Sequence, residues 1–92
     1  MNNLDFHAFE ADARAQGFDE VLERHWQPDS VLADHAHSFA VSARIVQGEM
    51  WLTMGEQTQH LLSGDTFTLE RDVTHSEKYG PQGATYWVAR RN

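Results

Sequence analysis

Of the six histidines in this chain, three are placed to act together. His35 and His37 stand two residues apart in Asp34-His35-Ala36-His37. Residues two apart on a strand point to the same face, so this spacing presents two imidazoles side by side. Imidazole nitrogen is a good ligand for iron, zinc, nickel, manganese and copper, and two of them make half of a tetrahedral site. A third ligand must come from another strand. His75, at the end of a strand in the second half of the chain, is the expected partner. The same His-x-His spacing also occurs as two surface histidines beside a turn, so the surroundings must decide. His60 has no neighbour in the pattern and reads as a surface residue. His7 belongs to the N-terminal stretch and reads as structural or exposed.

Other chemistries find little support. Cysteine is absent, so a metal must be held by histidine, carboxylate, amide, tyrosine or water. Glu49, Glu56, Glu70, Asp72 and Glu77 are scattered, with no close pair of the kind glycoside hydrolysis uses. Ser38, Ser42 and Ser76 lie near histidines, but no nucleophile elbow surrounds them. Gly80-Pro81-Gln82-Gly83 lacks the lysine of a phosphate loop.

Short strands must position the histidines. Phe18 to Trp26 reads as the first, and Pro28-Asp29-Ser30 as a turn. Val31-Leu32-Ala33 leads into the histidine pair, and Phe39 to Gln47 is the next long strand. Gly48-Glu49 is expected to break it before Met50 to Met54. Gly55-Glu56 marks a turn, Thr58 to Leu62 a strand, Ser63-Gly64-Asp65 a turn, and Thr66 to Leu69 a strand. Val73 to Glu77 follows, then a turn at Tyr79-Gly80-Pro81-Gln82-Gly83, and Ala84 to Arg90 closes the chain. About eight strands with tight turns predict an all-β sandwich or barrel. Ahead of them, residues 1–17 form an arm or a short helix, with Asp5 able to cap it and Gly17 to stop it. Residues 18–92 form one barrel domain.

Parity then assigns faces. If His35 and His37 face inward, so do Phe39, Val41, Ala43 and Ile45, while Ser38, Ala40, Ser42 and Arg44 face out. Met50, Leu52 and Met54 share a core face. Phe39, Val41, Ile45, Met50, Phe67 and Tyr86 are the expected pocket lining. Trp51 falls on the outer face, where a subunit contact explains it better than solvent does.

A chain of 92 residues supports one core. The formal charge of −7 argues against a nucleic-acid partner, and the nearest thing to a basic block is Arg90-Arg91. The polar start carries no signal-peptide pattern, and no apolar run approaches the ~20 residues that span a bilayer. A cytoplasmic protein with no membrane contact is expected. So is a homodimer, from the small barrel, outward Trp51 and an arm able to reach a neighbour.

From Val31 to Val88 the chain resembles the cupin superfamily, as a small single-domain conserved barrel. The first cupin motif has a His-x-His pair, a glutamate and a glycine; His35, His37 and Gly48 stand at three of these places. The second opens on glycine and aspartate and leads to a histidine; Gly64-Asp65 and His75 match. The resemblance implies a double-stranded β-helix, or jelly-roll barrel, holding a divalent metal on His35, His37 and His75. The chain departs from the pattern in three places. Val41 or Ser42 stands at the glutamate position, Glu70-Arg71-Asp72 replaces a Pro-x-Gly turn, and Tyr79 replaces an asparagine. Candidates for a fourth ligand are Glu77, which shares strand parity with His75, His25 and Gln47. Tyr79 is expected at the rim; with Glu77 it is the weak candidate for a catalytic role. A site lacking an anionic ligand favours an anionic guest such as a carboxylate or enolate.

Three functions fit these residues. One is a metal-binding cupin acting on a small organic ligand by Lewis-acid or dioxygen chemistry. Another is a non-catalytic module that binds or senses a small ligand. The third is a degenerate barrel with weak or no metal binding. Turnover is left open by the sequence, because no residue beyond the triad stands out as a base.

Overall fold

The computed structural model describes residues 6–92, so the expected cap at Asp5 lies outside the described residues. The chain runs α1 (Phe6–Ala15), β1 (Glu20–Trp26), β2 (Val31–His35), β3 (Ala40–Met54), β4 (Gln57–Leu62), β5 (Thr66–Leu69) and β6 (His75–Arg91). The N-terminal stretch is thus helical. It ends where Gly17, at φ 94°, takes the left-handed conformation. The Gly17 and Phe18 amides donate back to the Arg14 and Ala13 carbonyls, satisfying groups the last turn leaves free. Phe6 and Phe9 pack on Trp87 of the same chain, with ring centroids 5.9 and 5.8 Å away. The helix therefore covers its own sheet, not a neighbour's surface.

Six strands stand where eight were expected, because two of the expected breaks are bends within one strand. β3 runs through Gly48 and β6 through Pro81 without reversing. Both strands pair antiparallel along their length, with irregularities between Ile45 and Gln47 and between Gly48 and Met50. At the second, β3 residues Gly48 and Met50 face β6 residues Ala84 and Tyr79, so Gly80 to Gly83 bulge out of the ladder. Pro81 has no N–H to give a ladder, which suits it to a bulge.

These bends divide one continuous sheet into two halves. In one half β1 pairs with the end of β6, which pairs with the start of β3, which pairs with β5. In the other, β2 pairs with the start of β6, which pairs with the end of β3, which pairs with β4. The core fills the space between them and includes Val41, Ala43, Ile45, Met50, Leu52, Phe67, Leu69, Tyr79, Tyr86 and Val88. The alternation expected for Val41, Ala43 and Ile45 against Ser42 and Arg44 holds in the burial pattern of β3.

Trp51 faces outward, but within its own chain. His60 stacks on it in parallel at 4.5 Å, and the Lys78 ammonium lies over its ring. His60 also meets Glu49 at 2.7 Å. Among the described residues no helix is long and apolar enough to cross a membrane.

Candidate metal and ligand site

β2 ends at His35, and His37 lies past it in the loop to β3. Strand parity therefore does not place His37. The Asp72 amide donates to the His37 carbonyl at 2.8 Å, and the His37 ring stacks on Phe39 at 4.7 Å. Asp72 can do this because it takes a positive φ of 65°, in the segment where a Pro-x-Gly turn was absent. Asp tolerates that conformation better than most residues. His75 opens β6 and pairs in register with His35.

The three rings converge. Centroids of His35 and His75 are 4.3 Å apart, and those of His37 lie 5.0 and 5.1 Å from the other two. One nitrogen from each falls within 4.8 Å of the others. His75 is buried, while His35 and His37 are half-buried at the mouth.

Two of the rings are oriented for ligation. His35 Nδ1 lies 2.7 Å from the Ala33 carbonyl and His75 Nδ1 lies 3.0 Å from the Val73 carbonyl. A carbonyl only accepts, so each Nδ1 carries the hydrogen and each Nε2 keeps its lone pair. His75 Nε2 is buried and has no hydrogen-bond partner. The Glu77 carboxylate is 3.3 Å from it but out of line for a hydrogen bond. A buried nitrogen of this kind is costly unless something accepts its lone pair, and a divalent cation does so. Burial, then the neighbouring His75 and His35, lower the His37 pKa, which keeps that ring neutral and ligand-competent near neutral pH. The donor set fits a divalent metal.

Glu77 was the open question in the sequence, and it points inward. Its Oε2 is 3.4 Å from His35 Nε2 and 3.3 Å from His75 Nε2. Its other oxygen accepts a hydrogen bond from the Tyr79 hydroxyl. Burial, with Glu77 and Tyr86 beside it, pushes the Tyr79 hydroxyl well above its ordinary value, so it stays a donor. Tyr79 is not at the rim. It is fully buried and stacks on Trp26 at 5.0 Å, because the bend of β6 after it turns it into the core.

The remaining candidates are dispersed. His25 is exposed on the outer face of β1, between Glu23 at 3.1 Å and Thr85 at 3.0 Å. Gln47 is exposed, because the irregularity after Ile45 breaks the inward parity of β3. Neither borders the cavity beside the triad. That cavity measures about 160 Å³ and is walled by Phe39, Val41, Phe67 and Tyr86 among others. Ile45 and Met50, expected in the lining, are buried in the core away from it.

Two charged cavity residues, Arg24 and Arg90, went unread as such in the sequence. The available signal was parity: Arg24 alternates in phase with Trp26, and Arg90 with Tyr86 and Val88. An arginine in phase with a buried face is costly unless it has a task there. Arg90 lies over the Phe39 ring at 4.8 Å and Arg24 over the Trp26 ring at 4.9 Å.

The family described as the AraC-like ligand binding domain matches residues 7–90. No curated protein matches the sequence. Among solved structures, an RmlC-like cupin from Shewanella frigidimarina NCIMB 400 aligns over 76% of this chain and 62% of its own, with 20% identity and a TM-score of 0.68. KdgF from Halomonas sp. aligns over 78% and 67%, with 16% identity and a TM-score of 0.67. An HTH_3 family transcriptional regulator from Vibrio cholerae aligns over 79% and 42%, with 17% identity and a TM-score of 0.66. The aligned part is less than two thirds of the Shewanella chain and less than half of the Vibrio chain. At these identities the likeness is one of fold, and the fold is that of a small cupin.

Proposed function

The chain belongs to the AraC-like ligand-binding domain family, and from that premise we propose that it is a small-ligand-binding domain centred on a divalent metal. His35, His37 and His75 would hold the ion. The carrying observation is His75 Nε2, buried and unpartnered at the meeting point of the three rings. When bound, such an ion polarises a ligand oxygen as a Lewis acid. Iron, zinc, nickel, manganese and copper all accept three imidazoles.

Glu77 is the fourth ligand in this reading, supplied from β6 in place of the first motif's glutamate, whose position in this chain holds Val41 or Ser42. Tyr79 holds the carboxylate in place through its hydrogen bond. Binding without turnover is the form the family description favours. A chelator-sensitive enzyme is the second reading, favoured by Glu77: among the described residues it is the carboxylate that meets His35 and His75, and it could serve as a base.

The test is metal content per chain by elemental mass spectrometry, on protein purified without a metal-affinity tag or added ions. Wild type should carry close to one ion, and His37→Ala essentially none. Glu77→Gln should bind the ion roughly 10–100-fold more weakly. A wild-type protein that holds no ion and takes none up on soaking would end the metal reading.

The ligand-binding family supports a small-molecule role, and the charge of −7 weighs against nucleic-acid contact; a cytoplasmic location is part of the proposal. A homodimer is also part of the proposal. Val31 is 70% exposed and lines an open groove with Trp51 on the outer face of one half-sheet. Sedimentation should show a dimer at micromolar concentration; a monomer there would remove that element.

A further inference from the structure

Among the described residues, three buried side-chain polar atoms have no hydrogen-bond partner: Trp26 Nε1, His75 Nε2 and Arg90 Nε. All three belong to the cavity or to the histidine cluster beside it. His75 Nε2 is a lone pair turned toward the triad. The other two atoms are N–H donors, and each lacks an acceptor. Trp26 Nε1 approaches the Tyr86 hydroxyl without forming a hydrogen bond.

The guanidinium groups around these donors are poorly compensated. Arg90 has one carboxylate near it, Glu20 at 3.5 Å, and that residue is half-exposed. Arg24 has no ion pair among the described residues and lies on the Trp26 ring. Among the described residues Glu77 is the only acid in the cavity lining, and it stands at the histidine end. Half-buried cations and buried donor atoms left without acceptors cost free energy that a matching anion restores. The planar guanidinium fork suits carboxylate and phosphate alike, and a cavity this small favours the carboxylate.

The rest of the wall is flat and apolar, with Phe39, Phe67 and Tyr86 prominent. A cavity of about 160 Å³ is close in size to one of roughly 150 Å³ that accommodates benzene, which sets a ligand of about six to ten non-hydrogen atoms.

We infer that Arg24, Arg90 and Trp26 form the carboxylate-recognising end of the pocket. The ligand is a compact monocarboxylic acid of about six to ten non-hydrogen atoms with a flat apolar body. Its carboxylate lies on the arginines, and its opposite end faces the histidines. This rests on reading the cavity as a ligand pocket, but it does not require the metal.

The experiment is a titration with benzoate, followed by amide chemical shifts, on zinc-loaded and metal-free protein. Benzamide serves as the neutral isostere, and Arg90→Gln and Arg24→Gln as variants. Benzoate should bind at least about tenfold more tightly than benzamide, and each variant should lose about tenfold or more of that affinity. Zinc uptake by the variants should match wild type. Arginine-dependent benzoate binding in a protein that takes up no metal would leave this inference standing and remove the metal reading. Benzoate binding no tighter than benzamide, or unchanged in Arg24→Gln and Arg90→Gln, would overturn it even if zinc binds stoichiometrically. Arg24 makes no ion pair among the described residues, so Arg24→Gln keeps the test decisive should Arg90→Gln not fold.

Discussion

Adding the preferred divalent ion should raise the melting temperature of wild-type protein by about 10–20 °C and leave His75→Ala unmoved. The size follows from mass action. A ligand at a hundred times its dissociation constant stabilises the folded state by about 2.7 kcal/mol, and each kcal/mol shifts a domain of this size by roughly 4–8 °C. His75 is the ligand to remove because its Nε2 is buried beside two rings and makes no hydrogen bond. Truncation has two opposing effects on the metal-free protein: a cavity is left, and an unpartnered polar atom is lost. The diagnostic is therefore the response to metal, measured by differential scanning fluorimetry across the five candidate ions. His60→Ala is the control, since that histidine lies on the outer face against Trp51 and Glu49. A full shift in His75→Ala would place the ion elsewhere, and no shift in wild type with any ion would remove it.

The sequence made the histidine cluster legible but not the means by which it is assembled. His35 and His75 meet because β2 and β6 pair, with a shift of register between Leu32 and His35 that sets the two histidines opposite each other. His37 joins them from a loop, held by an Asp72 amide and the Phe39 ring. The Asp72 contact comes from a segment distant in the chain, so no local pattern announces it. Alternation from Phe39 to Ile45 was readable because one face of that strand meets the core. Arg24 and Arg90 obey the same alternation, yet their charge argues for the surface when each is read alone. The inward turn of Glu77 and the burial of Tyr79 depend on where β6 bends. Gly48 and Gly80-Pro81-Gln82-Gly83 read as chain breaks, since glycine and proline usually punctuate strands. Here they allow two long strands to pass from one half-sheet to the other.

That bend should be the least tolerant place in the fold. Gly48 has a φ of +81°, and a Cβ built on it would fall 2.2 Å from the Gly83 carbonyl oxygen and 2.8 Å from the Ala84 Cα. Both obstacles are backbone, so no side chain can rotate away. Gly83 is confined in turn: its φ is +71°, and a Cβ there would fall 2.2 Å from the Trp26 carbonyl oxygen. β3, β6 and the end of β1 thus approach one another through two glycines. Gly48→Ala combines backbone strain of about 1–3 kcal/mol with an overpacking cost of about 1–3 kcal/mol. Against a total stability of roughly 5–14 kcal/mol for 92 residues, that is a large fraction. Gly55→Ala isolates the strain, because Gly55 also has a positive φ of +61° but open space around it. Urea unfolding should show Gly48→Ala losing about 1–3 kcal/mol more than Gly55→Ala, the part due to packing. Equal losses would mean that the bend can open to admit a methyl group. The site would then be less firmly held than its geometry implies, because β6 carries His75 and Glu77 before the bend and Tyr86 and Arg90 after it.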